Sequence, residues 1–322
     1  MEQIFTSSFG SPVHNSPNGP SGLSILIPTF NYVPRPLLSA LVPQAVALSL
    51  PFQIIVGNDG SSLEVSQQLQ DLAEEFGGLV HISSASNQGR AGVRNRLASE
   101  AIYSHLLFID ADSEPAYQDF LPNYTAYIAQ DLGKNSVLVG GTAYKPARPA
   151  PKQLLRWLYG CNSEALSAAK RNLSPFKSLT INNICLPKAL FQKIGLHHTA
   201  QSYGHEDTLF GYHLQEQGHS VTHIDNQVYH LGLETSDVFL AKSAEAAQTL
   251  SQLVHANLLP ASFTKLSASA SFLHRFRIGS LFLRFFSWRR NAILASLLGP
   301  RPNLSYLSFY KLAAYLQASK QA

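Results

Sequence analysis

From Ala246 to the last residue the chain has no Asp or Glu. The same stretch carries Lys265, Arg275, Arg277, Arg284, Arg289, Arg290, Arg301, Lys311 and Lys320. With a net charge of +4 over 322 residues, the nine basic groups leave about −5 on the remainder. Such asymmetry predicts a body that does chemistry and a tail that meets something anionic. Other scarcities narrow the field. Only 14% of residues are charged and 45% are hydrophobic, which supports a large core and excludes global disorder. Two cysteines, Cys161 and Cys185, cannot build a disulfide framework, so buried thiols in a reduced, cytoplasmic setting are expected. No uncharged apolar run reaches the ~18 residues of a spanning helix. The start lacks a basic segment followed by an apolar one, so residues 1–22, rich in Ser, Pro, Gly and Asn, read as a flexible leader.

What is present is a rhythm. Short apolar runs at Leu23–Pro28, in "FQIIVGNDGSS", in "LVHISS" and in "HLLFID" predict strands. Helical spacing lies between them: Arg35–Leu50, interrupted near Pro43, then the segment with Leu63, Leu69, Leu72 and Phe76, then "GRAGVRNRLASEAIY". Strands alternating with helices predict βαβ units and a mostly parallel α/β sheet. Beyond Asp119 the rhythm loosens, with strands at "SVLVGG", "SLTINNICL" and "SVTHID" and helices between them. "PKALFQKIG" has Pro at its start and Gly at its end, as a helix prefers. From Ser236 the pattern is helical and basic. The expected division is leader 1–22, an α/β domain over 23–235, and a basic helical region over 236–322.

Ligands in open α/β sheets sit beyond the carboxyl ends of the strands. Four strand-end loops hold the polar residues here: "PTFN", "GNDGSS", "SASNQGR" and "DADSE". The last contains Asp110, Asp112 and Glu114. On an extended backbone Asp110 and Asp112 would face one side, and two close carboxylates repel unless a proton or cation lies between them. Oxygen ligands suit Mg²⁺ or Mn²⁺, which keep water and substrate phosphates as further ligands. An Asp-x-Asp pair alone is a weak signal; alone it fits an acidic turn equally well.

The ordered set "PTFN", "NDGS", "NQGRAGVRN", "FIDAD" and "GHED" resembles the inverting nucleotide-sugar glycosyltransferases of family two, which have the GT-A fold. The resemblance runs from about Leu23 to His230. It implies a Rossmann-like, mostly parallel sheet flanked by helices, here with a helical C-terminal extension. It implies transfer of a sugar from a nucleotide diphosphate-sugar, expected to be a UDP-sugar, to a glycan or lipid-linked saccharide. Pro28, Thr29 and Asn31 then border the nucleotide, and Asp59 bonds the base. Asn87, Gly89, Arg90 and Arg94 lie beside ribose and diphosphate, and Asp110 and Ala111 border the nucleotide as well. Asp112 binds Mn²⁺ or Mg²⁺ directly, Asp110 reaches it through water or touches ribose, and His230 completes the cation site. Asp207 is the general base, with Glu206 beside it holding the acceptor or the loop. The neighbouring residues also have bland readings: the Asp207 segment is a helix start, where acids are favoured, and Trp157 and Tyr159 can pack in the core as well as stack on sugar. Glu114 drops to a turn residue beside Pro115, and Asn182 and Asn183 stand where relatives place a residue near the donor sugar.

Rival functions are weaker. A sugar-nucleotide pyrophosphorylase wants a glycine-rich basic loop after the first strand, and "PTFNYVPRP" has no glycine. A nicotinamide dehydrogenase wants G-x-G-x-x-G there. A non-catalytic nucleotide-sugar or glycan binding domain remains, against which Asp112 and Asp207 stand. In the tail, Ser271–Gly299 mixes aromatic and aliphatic residues with five arginines, which predicts an interfacial helix on an anionic membrane surface rather than a nucleic-acid partner. The expected location is cytoplasmic, peripheral on the inner membrane face.

Overall fold

The computed structural model describes residues 19–130, 136–197 and 203–319. Most of the expected leader, residues 1–18, lies outside the described residues. Its last residues are tied to the body: the Pro20 and Gly22 carbonyls accept from the N–H groups of Ser104 and His105.

The first half follows the sequence rhythm: β1 (Leu23–Thr29), α1 (Arg35–Val46), β2 (Phe52–Asp59), α2 (Leu63–Glu75), β3 (Val80–Ala85), α3 (Gly89–Glu100) and β4 (His105–Ile109). Then come β5 (Ser113–Pro115), α4 (Phe120–Ala129), β6 (Ser136–Val139), β7 (Thr142–Ala143), α5 (Leu154–Tyr159), a π turn over Gly160–Glu164, and α6 (Ala168–Asn172). The chain continues with β8 (Asn183–Pro187), α7 (Lys188–Ile194), α8 (Glu206–Glu216), β9 (Ser220–His223) and β10 (Val228–His230). Four helices finish it: α9 (Ser236–His255), α10 (Lys265–Arg275), α11 (Gly279–Leu298) and α12 (Leu304–Ala318).

Seven strands form one sheet in the order β3-β2-β1-β4-β8-β6-β9. All neighbours pair in parallel except β8, which runs against both β4 and β6. The sheet is buried on both faces, which explains why β1 reads as a continuous apolar run rather than an alternating one. Leu23, Ile25 and Ile27 point into one core with α1, α2 and α4. Leu26 points into the other, with Val93 and Leu97 of α3 and Phe210 of α8. Each such side chain contributes about 1.5–3 kcal/mol by leaving water. A second sheet, β5-β10-β7, is small and lies at the mouth of the first.

Three expectations change. Helix α1 runs through Pro43 instead of stopping there. Pro43 and Ser39 are exposed, so water can satisfy the carbonyl that proline leaves without a donor, while Leu37, Leu38, Leu41 and Ala45 anchor the other face. Glu114 is not a turn residue but the middle of β5, paired with Lys145 at 2.6 Å. The segment Ser271–Gly299 is not one helix: α10 and α11 are separated by residues 276–278, with Arg277 at φ 57°.

The C-terminal helices share a core with the body. Leu250 and Leu253 of α9 and Tyr315 of α12 pack with Leu209 of α8. Arg156 of α5 stacks on both Tyr144 and Phe239 of α9. Trp157 donates its indole N–H to the Lys145 carbonyl, and Tyr159 packs on Phe239. Cys185 is buried and Cys161 half-buried, both as free thiols.

Candidate active site at the strand ends

Polar side chains at the ends of β1, β2, β3 and β4 are joined in sequence by hydrogen bonds. The loop after β1 carries Asn31 at φ 50°, a conformation Asn tolerates better than most residues. Its N–H donates to Ser61 Oγ at 2.8 Å, and its Oδ1 accepts from the Ser62 N–H at 2.9 Å. Thr29 folds the same loop by donating to the Tyr32 carbonyl at 2.6 Å. After β2, Asn58 accepts from the Ser61 N–H and donates to Ser66 Oγ. Asp59 accepts from the N–H groups of Gln88 and Gly89 at 2.8 and 3.0 Å. Those two groups open helix α3, where a carboxylate is favoured by unpaired donors and by the dipole. Gly60 has φ +74°, and a Cβ there would come within 2.7 Å of the Asn87 backbone nitrogen, so the β2 and β3 loops touch only because it is glycine.

Beyond β4 the backbone does not stay extended. The Ser113 N–H donates to the Asp110 carbonyl and closes a turn over residues 110–113. Asp110 and Asp112 therefore have different partners, contrary to the expectation of one shared face. Asp110 is bound by Arg94, which is itself buried, and lies 3.7 Å from Arg90. Burial opposes its charge, but the two guanidinium groups hold its carboxyl below the usual carboxylate range. Arg94 also donates to the Arg90 carbonyl at 2.9 Å, so it fixes the start of α3 to the end of β4. Asp112 turns toward β10, with its Oδ2 3.5 Å from Nδ1 of His230. Burial and the Asp110 charge push its carboxyl up, and its own charge, after burial, does the same to Tyr32.

A cleft of about 370 Å³ opens among these loops. Its walls include all ten residues expected to bind nucleotide-sugar: Pro28, Thr29, Asn31, Asp59, Asn87, Gly89, Arg90, Arg94, Asp110 and Ala111. Asp112 lies there too, with Phe30, Tyr32 and Val93, which the sequence did not single out. Phe30 is exposed; the signal in the sequence was its place between Thr29 and Asn31.

Arg90 leads out of this cleft. Its guanidinium lies 3.4 Å from Glu206 and donates to the Tyr203 hydroxyl at 3.2 Å. Burial disfavours its charge, but Asp110 and Glu206 more than offset that and raise its pKa. It thereby bridges the first cleft to a second of about 380 Å³, bounded by Glu206, Tyr203, His205, and Thr249 and Leu253 of α9. Glu206 and Asp207 form the first turn of α8, behind His205 at φ 70°. Asp207 accepts from the Ile181 N–H at 3.3 Å. Its carboxyl is pushed up to about 6 by burial and by the adjacent Glu206, against the pull of Arg90 and Arg94. Of the two acids, Glu206 lines the second cleft and Asp207 does not.

Among the described residues no group of three or more His, Cys, Asp and Glu is disposed to hold a metal ion. Asp112 and His230 offer one oxygen and one nitrogen, which fits a cation that takes its remaining ligands from water and phosphate. Gly232 presses on this carboxylate: a Cβ there would collide with Asp112. Asn183 is not at the cleft but buried in a bond network with Tyr124, Gly141 and Asn226. Asn182 donates to Thr142 Oγ1, and its buried Oδ1 has no hydrogen-bond partner among the described residues.

Residues 24–181 match the family model described as Glycosyl transferase family 2. The chain carries a glycosyltransferase domain of this family. The mannosyltransferase PcManGT from Pyrobaculum calidifontis, in complex with GDP-Man and Mn²⁺, superposes with a TM-score of 0.56 at 15% identity, over 97% of this chain and 90% of that one. TarS 1-349 of S. aureus gives a TM-score of 0.48 at 17% identity, over 93% and 90% of the two chains. A comparison with curated proteins gave no match. The glycosyltransferase match spans the first cleft, including Asp112, and ends before Glu206, Asp207 and His230. Those three join the site through the fold: α8 packs under the sheet, and β10 pairs His230 with Ser113 of β5.

Proposed function

We propose that this glycosyltransferase moves a sugar from a nucleotide diphosphate-sugar, a UDP-sugar by preference, to a hydroxyl of a glycan or lipid-linked saccharide with inversion. The reading is carried by Asp207, a carboxyl in the first turn of α8 beside Glu206 that accepts from the Ile181 N–H and is pushed up to about 6 by burial and by Glu206. A base near that value is ionised at neutral pH and still accepts a proton well. Donor binding in the first cleft and acceptor binding in the second would place the hydroxyl for in-line attack on the anomeric carbon. Both clefts meet at Arg90, whose charge faces Asp110 on one side and Glu206 on the other.

Asp112 and His230 would hold Mn²⁺ or Mg²⁺, with Asp110 kept as an ion-paired neighbour rather than a direct ligand. A cation there supplies charge neutralisation for the departing diphosphate. The GDP-Man and Mn²⁺ of the Pyrobaculum protein support a sugar nucleotide and a divalent ion. A second reading has a specific observation behind it: Glu206, which lines the second cleft, is the base, and Asp207 positions it. The test is a hydrolysis and transfer screen over UDP- and GDP-sugars with Mn²⁺, run on wild type, Asp207→Asn and Glu206→Gln. Loss of turnover with donor binding kept in Asp207→Asn supports the reading; full transfer activity in that variant would falsify it.

A further inference from the structure

Helix α11 has two apolar faces. On one, Phe286, Ile293 and Leu297 are buried against α9 and α12. On the other, Leu281, Phe285 and Trp288 are 67%, 50% and 75% exposed. Their i, i+4, i+7 spacing puts them on one stripe, since 3.6 residues make a turn. The buried residues fall on the opposite side by the same count. Arg284 and Arg289, both exposed, fall on either flank of the stripe. The preceding turn and helix end continue the composition: Phe272 and Phe276 are 56% and 57% exposed, with Arg275 and Arg277 exposed beside them. A single exposed Leu needs no explanation; a stripe capped by a mostly exposed Trp does.

We propose that this outer face of α11 docks on a membrane surface of anionic lipid. The charges choose the occupant. No acid occurs from Ala246 onward, so a second copy meeting this face through its own would set arginine against arginine. An anionic headgroup layer complements Arg284 and Arg289, while Leu281, Phe285 and Trp288 enter the boundary beneath it. Tryptophan suits that boundary because its ring is apolar and its N–H polar. Arginine can bury its stem and keep its head among phosphates. Nucleic acid would answer the charge but leave the aliphatic and aromatic surface in water. Among the described residues no helix is long and apolar enough to cross a bilayer, so the contact lies along the surface. The inference does not depend on the transfer reaction.

The experiment is flotation of the purified full chain with vesicles of phosphatidylcholine alone and of phosphatidylcholine with phosphatidylglycerol in equal parts. The chain should float with the mixed vesicles only, less as salt rises, with a blue shift in tryptophan emission. Leu281→Ser/Phe285→Ser/Trp288→Ser should abolish flotation. Arg284→Ser/Arg289→Ser should weaken it about 25-fold, at about fivefold per charge. Thermal melting and donor hydrolysis in solution report separately that each variant is folded and that the first cleft works. Absence of flotation by the wild type overturns the proposal, as does flotation unchanged in both variants. A dimer that the triple substitution dissociates, without vesicle binding, overturns it in favour of a second copy.

Discussion

Gly232 has no side chain because the Asp112 carboxylate occupies the place a Cβ would take. The two are brought together by the small sheet, in which β10 pairs with β5 and the Leu231 N–H donates to the Asp112 carbonyl at 2.8 Å. Gly232→Ala should therefore push the Asp112 carboxylate away from its place beside His230. The expected outcome is a loss of Mn²⁺ affinity of about 10–100-fold, the range for a disturbed metal environment. Mn²⁺ titration of donor hydrolysis measures it, with thermal melting as the control. Unchanged metal dependence would mean that Asp112 does not hold the ion.

Arg94 and Asp110 make a different claim. Arg94 is almost fully buried, and Asp110 depends on it for charge compensation. Arg94→Met should leave a largely buried carboxylate with only the more distant Arg90. The expected cost is about 3 kcal/mol, read from urea unfolding at neutral pH. The folded-state pKa of Asp110 is depressed, so this pair stabilises above the unfolded value near 4 and is lost as pH falls through the folded one. The gap between wild type and variant should accordingly shrink below pH ~4. A gap that stays constant to low pH would contradict the ion pair.

Asp59 tests whether the first cleft is a built site. Both of its oxygens accept backbone N–H groups that open α3. Asp59→Ala removes them and should lower stability by about 1–3 kcal/mol. Because the same loop carries Asn87, Gly89 and Arg90, the donor KM should rise about tenfold or more, each tenfold being about 1.4 kcal/mol of binding. Turnover at saturating donor should change far less. A variant with wild-type KM would remove this loop from donor binding.

How much of this was legible in the sequence follows from range of contact. The strands β1 to β4 announce themselves because a doubly buried parallel strand must be a short apolar run, and "LSILIP" and "HLLFI" have that form. The four strand-end loops follow from the same rule, and the ten nucleotide-sugar residues that the resemblance named all line the first cleft. The splay of Asp110 from Asp112 was not legible, since the turn that causes it depends on a single backbone bond. Nor was the small sheet: strands of two and three residues are too short to show a period. His230 therefore came from resemblance rather than pattern, and Gly232 not at all. Pro43 misled because proline penalises a helix only where its lost bond cannot be replaced, and here the face is in water. The tail's composition was legible, but which of its apolar residues face outward is decided by packing against α9 and α12.

Asp207 carries the last prediction, and it joins stability to rate. Its carboxyl is raised from 3.8 to about 6, so folding disfavours its ionised form. A raised carboxyl pKa destabilises the ionised form: the penalty is absent below the unfolded value, grows between about pH 4 and 6, and is complete above. The shift corresponds to at most about 3 kcal/mol at neutral pH. Asp207→Asn, which cannot ionise and keeps an acceptor oxygen for the Ile181 N–H, should thus melt higher than wild type at pH 7.5 and no higher at pH 4. In wild type the active base is the ionised form, so transfer at low donor concentration should fall about tenfold per unit as pH drops below 6. Asp207→Asn should lose about 10²–10⁴ in turnover. Melting curves at the two pH values and a rate profile from pH 5 to 8 check both halves. If Glu206→Gln, and not Asp207→Asn, abolishes turnover, the base is Glu206 and Asp207 serves to position it.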